Sequence, residues 1–182
     1  MYNLCLSALL HGVLALLLVC ASTARAHGPT PQKVDATIDI RAPCELVWSR
    51  LLDFGDIGAW HPQITAVEAT GAAERGSKRT LTLANGESLT EMLVTMDRSA
   101  QTFSYRLARE NIHALPVSFY TAQMSLERGG IAGRVCTVSW SGRLYRADTT
   151  NEPPEAFNDE AAVSALSAFF PDGLNGLKEA LE

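Results

Sequence analysis

The chain has 182 residues, 47% of them hydrophobic, with 15 Lys and Arg against 20 Asp and Glu and a formal net charge of −5. A nucleic-acid groove or an anionic bilayer surface needs clustered Lys and Arg to displace counterions. No such cluster exists in this sequence, so both partner classes are excluded.

Residues 4–21 form an almost unbroken apolar run, followed by Ser22-Thr23-Ala24-Arg25-Ala26. The run is shorter than the roughly 20 residues that span a bilayer, and Ala24 and Ala26 supply the small side chains a signal peptidase requires. A signal peptide over residues 1–26 is expected, leaving residues 27–182 as one exported, periplasmic domain with no membrane attachment. No Lys or Arg precedes the apolar run, so an uncleaved anchor is the alternative. Arg25 is the one formal charge of that segment, so the remaining domain carries 14 basic and 20 acidic residues. Its length suits a single core.

Cys5 and Cys20 leave with the signal, and Cys44 and Cys136 remain in a compartment that permits disulfides. One intramolecular bridge and two buried thiols both fit. The pair lacks metal-site spacing.

Residues 34–40 alternate, with Val34, Ala36, Ile38 and Ile40 on one side, the period-2 mark of a half-buried strand. Pro43 opens a helix whose Val47, Leu51 and Phe54 share a face and which stops near Gly55. Asp56 is expected to cap a short turn ending at Trp60-His61-Pro62.

From Ile64 to Tyr145 the pattern predicts six strands in a meander. Asn85-Gly86 marks a hairpin, because both residues tolerate the positive φ of a tight turn. Phe103, Tyr105 and Leu107 form one apolar face, and Tyr120, Ala122, Met124 and Leu126 another. Gly129-Gly130 turns the chain into a last strand that carries Cys136, Val138, Trp140 and Leu144 on its apolar side. After a polar loop, Val163, Leu166, Phe170, Leu174, Leu177 and Leu181 recur at steps of three and four. That is one long helix, kinked at Pro171.

The order of elements gives an α+β fold, a curved antiparallel sheet of about seven strands wrapped around a C-terminal helix. Helix and sheet diverge away from their line of contact, which predicts a cleft lined by inward apolar residues.

Several strings carry a resemblance over residues 34–181: Ala42-Pro43-x-Glu45-x-Val47-Trp48, Asp53-Phe54-Gly55-Asp56-Ile57-x-Ala59-Trp60-His61-Pro62, Leu81-Thr82-Leu83-Ala84-Asn85-Gly86, Glu91-x-Leu93, Leu115-Pro116-Val117-x-x-Tyr120 and Trp140-Ser141-Gly142. They resemble the polyketide cyclase/START-like (SRPBCC, Bet v 1-like) superfamily. Trp60-His61-Pro62 and the export signal are most similar to periplasmic proteins of the MxaD type, associated with methanol oxidation. The resemblance implies a helix-grip fold with a cavity, a gate loop at residues 83–87 and a second loop at residues 114–117 facing it. The family's Glu-Arg-Leu reads Glu91-Met92-Leu93 here, so no role of that arginine carries over, and Pro171 departs from the usual unbroken last helix.

The domain's histidines are His27, His61 and His113. No Gly-x-Ser-x-Gly elbow, phosphate-cradling loop, dinucleotide fingerprint or zinc helix is present. Neither cofactor nor metal is expected, and His27 is at most an adventitious copper ligand. Glu91 lies between Leu89 and Leu93 on one strand face. Pattern alone allows either face to be inward, and the resemblance favours an inward Glu91; a carboxyl buried there needs a hydrogen-bond partner, for which His61 and Tyr120 are the expected residues. These three are the candidate catalytic residues, because a raised-pKa acid beside a His and a Tyr suits aldol-type cyclisation or dehydration. They suit orientation of a ligand's polar end equally well.

The expected ligand-binding residues are Trp60, His61 and Pro62 from the turn, Leu83 from the gate, and Glu91 and Tyr105 from the strands. Leu115 and Pro116 join them from the second loop, with Tyr120, Met124 and Trp140 from the later strands and Leu166 and Phe170 from the helix. The expected function is periplasmic binding of a small apolar or aromatic ligand by a monomer or weak dimer. The alternatives are an accessory protein serving a periplasmic dehydrogenase or cytochrome, and a cyclase or dehydratase using Glu91.

Overall fold

The computed structural model describes residues 28–129 and 135–182. The expected signal peptide and His27 lie outside the described residues, as does Gly130 of the Gly129-Gly130 turn. Seven strands form one antiparallel sheet in the order β1-β7-β6-β5-β4-β3-β2. They are β1 (Gln32–Ile40), β2 (Ile64–Thr70), β3 (Lys78–Leu83), β4 (Ser88–Asp97), β5 (Thr102–Arg109), β6 (Val117–Gly129) and β7 (Val135–Arg146). Helix α1 (Cys44–Leu52) and a 3-10 turn (Asp56–Ala59) connect β1 to β2, and α2 (Asp159–Leu181) ends the chain.

Alternation decides which face is dry. On β6, Tyr120, Ala122, Met124 and Leu126 are buried between exposed or half-buried neighbours, and on β7 Cys136, Val138, Trp140 and Leu144 are buried between neighbours that are mostly half-buried. Of the four register shifts among the described strands, two bear on the inward face. The pairing slips between Leu93 and Thr95, so Met96 faces inward opposite Phe103 while Val94 reaches the outer face. The second lies between Ser118 and Thr121, where Phe119 adopts φ 46° and is 71% exposed.

The hairpin at Asn85-Gly86 differs from the expected turn. Only Gly86 has a positive φ, 84°, and its N–H donates to the Leu83 carbonyl. This three-residue loop is closed by Leu83 N–H to the Glu87 carbonyl. Asn85 keeps an ordinary φ and spends its side chain on the loop facing it. Asp56 is likewise not the cap expected. Gly55 holds the cap position, and the Asp56 carboxylate accepts from Arg50 Nη1 at 2.9 Å.

Helix α2 lies across the concave face over β1 and β7. Asn158 caps it by accepting from Ala161 N–H at 2.8 Å, and Asp159 and Glu160 favour its positive end. Arg146, at the end of β7, bonds Asp159 as well as the carbonyls of Asp148 and Thr150, which anchors the helix start to the sheet. At the other end, Lys178 donates to the Asp39 carbonyl and Glu182 accepts from Arg41 N–H. The helix continues through Pro171, which removes the bond to the Ser167 carbonyl, because the apolar face stays in phase and buried on both sides of it.

Two helix glycines set how closely α2 approaches. A Cβ at Gly176 would sit 1.9 Å from the Trp60 carbonyl, and one at Gly173 would sit 2.5 Å from the His61 ring. Cys44 and Cys136 form a disulfide that ties the start of α1 to the start of β7. No helix among the described residues is long and apolar enough to cross a membrane.

Candidate functional site

The interior between sheet and α2 holds a buried polar unit among aromatic rings. Arg79 on β3 and Glu91 on β4 sit directly opposite each other on the inward face. Arg79 Nε donates to Glu91 Oε2 at 2.7 Å, and both side chains are only 2% exposed. Arg79 Nη1 donates to the Phe54 carbonyl at 2.9 Å. The guanidinium lies 4.0 Å from the centre of the Phe54 ring and 4.8 Å from that of Tyr105, a flanked geometry that suits a weakly hydrated planar cation. Arg79 Nη2 is buried without a hydrogen-bond partner.

Beside this pair runs a hydrogen-bonded chain. Trp140 Nε1 donates to Tyr105 Oη at 2.8 Å, and the Tyr105 and Tyr120 hydroxyls share a bond of 3.0 Å. Burial pushes both phenols well above their usual range, with the Glu91 charge adding to it, so they act as neutral donors. Burial also pushes the Glu91 carboxyl up, and Arg79 opposes that shift. A guanidinium keeps its proton in any protein setting, so an ionised Glu91 makes the pair neutral as a whole.

The inward placement of Glu91 agrees with its expected face, but its partner does not. Glu91 pairs with Arg79, and His61 bonds elsewhere. His61 is 2% exposed, accepts from Gln63 N–H at Nδ1, and so donates from Nε2 to the Phe169 carbonyl at 3.0 Å. Burial lowers its pKa to about 4, which keeps the ring neutral. The expected Glu91–His61–Tyr120 cluster is therefore corrected to Arg79–Glu91 beside Trp140–Tyr105–Tyr120. An acid–base cycle at Glu91 would break its ion pair at each turn.

Arg79 was legible in principle. Arg79, Leu81 and Leu83 alternate on one face, and counting back from the Asn85-Gly86 turn sets Arg79 opposite Glu91.

The remaining expected ligand residues divide by position. Leu83, Leu115, Met124, Leu166 and Phe170 are buried in the same interior, where Phe170 stacks on Trp140 with ring centres 4.5 Å apart. Pro62 is exposed and Pro116 half-buried. Trp60, His61 and Pro62 instead border an outer cleft of about 630 Å³ with Asp172, Gly176 and Glu179. A second cleft, of about 360 Å³, lies on the opposite face of the sheet, lined by Lys33, Arg106 and Arg143.

The two facing loops are hydrogen-bonded to each other. Asn85 Nδ2 donates to the His113 carbonyl at 2.9 Å, and Asn111 Nδ2 donates to Glu87 Oε2 at 2.8 Å and to the Ser88 carbonyl at 3.0 Å.

A curved seven-stranded antiparallel sheet closed over a long terminal helix is the helix-grip fold. Residues 31–182 match the model of the polyketide cyclase / dehydrase and lipid transport family, and the chain belongs to it. Solved structures share the fold at low identity. The protein XoxI from Bacillus cereus is 20% identical with a TM-score of 0.67, over 82% of this chain and 94% of that one. Norcoclaurine synthase from Thalictrum flavum, in complex with dopamine and hydroxybenzaldehyde, is 13% identical with a TM-score of 0.62, over 84% of this chain and 87% of that one. The ginseng major latex-like protein 151 from Panax ginseng is 11% identical with a TM-score of 0.64, over 83% of this chain and 97% of that one. No protein of curated function matches the chain in sequence.

Proposed function

We propose that this protein is a periplasmic binding protein for a small, mainly apolar ligand held between the curved sheet and α2. The buried polar unit carries this reading. A sealed ion pair contributes little to stability against an apolar core of equal volume, and Arg79 Nη2 costs further free energy by having no partner. Such convergent polar groups in an apolar enclosure are what a ligand's polar end requires. Access runs between the loops at residues 83–87 and 111–117, whose ties are a few exposed or half-buried amide bonds. Parting the loops and swinging the interior rings makes the room. Titration calorimetry against a panel of apolar and aromatic molecules tests the reading. One-to-one binding with a negative heat-capacity change is expected, and a panel without a single binder contradicts it.

A second reading rests on the outer face of the sheet. The register sets exposed Lys78, Arg106, Arg143 and Lys33 in one row across β3, β5, β7 and β1, in a chain of net negative charge. That row suits an acidic protein partner, and an MxaD-like accessory role beside a periplasmic dehydrogenase or cytochrome supplies one. Replacing Arg106 and Arg143 by Glu then abolishes a salt-sensitive association with such a partner, and unchanged association contradicts this reading.

A further inference from the structure

The interior polar unit has donors to spare. Arg79 has spent Nε on Glu91 and Nη1 on the Phe54 carbonyl, and the N–H groups of its buried Nη2 meet no acceptor. The neighbouring chain has the same imbalance. Trp140 N–H and the two tyrosine hydroxyls bring three protons, and the two bonds that join them use two. One hydroxyl proton is left over among the described residues. The Tyr105 ring that carries half of that pair is also one of the two rings flanking the guanidinium, so the unspent donors belong to one wall of the interior.

Unspent donors select for an acceptor, and the charge state of the wall says which kind. Glu91 already neutralises Arg79, so a ligand carboxylate would add an uncompensated buried charge. A ligand hydroxyl would bring one more proton to a place already short of acceptors. A carbonyl oxygen accepts two hydrogen bonds, brings no proton and carries no charge.

We propose that the interior takes a neutral apolar molecule by its carbonyl oxygen, with Arg79 Nη2 as the principal donor and the spare Tyr105–Tyr120 hydroxyl proton as the second. This rests on the ligand-binding reading above and names the chemical class it serves: aryl or alkenyl ketones, aldehydes and their like. Glu91 acts as a positioning residue that holds the guanidinium edge-on to the ligand while cancelling its charge.

Three nearly isosteric probes test it on the unaltered protein: 2-acetonaphthone, 2-isopropenylnaphthalene, in which CH₂ replaces the carbonyl oxygen, and 2-naphthoate. Titration is followed by the fluorescence of the buried tryptophans Trp48, Trp60 and Trp140. The ketone is expected to bind roughly tenfold or more tightly than the hydrocarbon, since one charge-assisted hydrogen bond is worth about that ratio, and more tightly than the carboxylate. Infrared difference spectra are expected to show the bound carbonyl stretch shifted to lower wavenumber. The double variant Arg79→Met/Glu91→Leu is expected to bring the ketone-to-hydrocarbon ratio to about one. Equal affinity of ketone and hydrocarbon for the unaltered protein would mean that only water satisfies Arg79 Nη2 and would overturn the proposal while leaving apolar binding intact. Tightest binding of 2-naphthoate would overturn it in favour of an anion site. Failure of all three probes together with the wider panel would overturn the ligand-binding reading itself.

Discussion

Among the described residues, Arg79 and Glu91 are each other's only ion-pair partners in the interior, and this makes their single and double substitutions behave differently. Arg79→Met leaves a carboxylate buried alone and is expected to cost about 3–5 kcal/mol in urea unfolding, whereas Arg79→Met/Glu91→Leu is expected to match the parent protein or exceed it. A double variant as unstable as the single one would show that the pair is structural. His61 gives a pH signature. Its ring stays neutral in the folded protein down to about pH 4, while in the unfolded chain it gains a proton below about 6.5. The unfolded state therefore binds more protons in that window, and stability falls as pH falls through it, by about 3 kcal/mol in all. Glu91, whose carboxyl is pushed up, acts in the opposite sense above its ordinary value, so the difference between the parent and His61→Gln isolates the histidine. Parallel pH profiles for the two proteins would contradict this account of His61.

Between elements, the closest contacts are those of α2 with the turn that precedes β2. Gly176→Ala drives a methyl into the Trp60 backbone, which cannot yield as a flexible side chain would, and is expected to lower the melting temperature by many degrees despite alanine's higher helix propensity. Raised stability would contradict that contact. The Cys44–Cys136 disulfide closes a loop of 92 residues, so reduction or Cys44→Ser/Cys136→Ser is expected to cost about 4 kcal/mol in denaturant unfolding. The loop ties have a kinetic test. Asn85→Ala/Asn111→Ala is expected to speed both association and release of a bound probe in stopped-flow fluorescence, and rates unchanged in both directions would place the access route elsewhere.

For the molecule as a whole, the periodicities that place strands and helix also place the core, because burial acts through the same two periods of 2 and 3.6 residues. The meander from β2 to β7, the inward rows of β6 and β7 and the long α2 were legible, whereas the pairing of β1 with β7 has no local signal. What escaped depended on facts without a local signal. The bulge after Leu93 reverses the face of Met96, Asn85 uses its side chain instead of its backbone, and Glu91 finds an arginine twelve residues back across a hairpin. Most of the residues expected to line a cavity, Leu83, Tyr105, Leu115, Met124 and Phe170 among them, are packed into the core.

The account therefore stands on whether that interior opens to a ligand around Arg79 and Glu91. Methyl-resolved NMR during titration with 2-acetonaphthone reads this directly. The account predicts saturable shifts at the buried methyls of Leu93, Met124 and Leu166. Shifts confined to residues of the outer clefts, such as Val94 and Ile64, would contradict it.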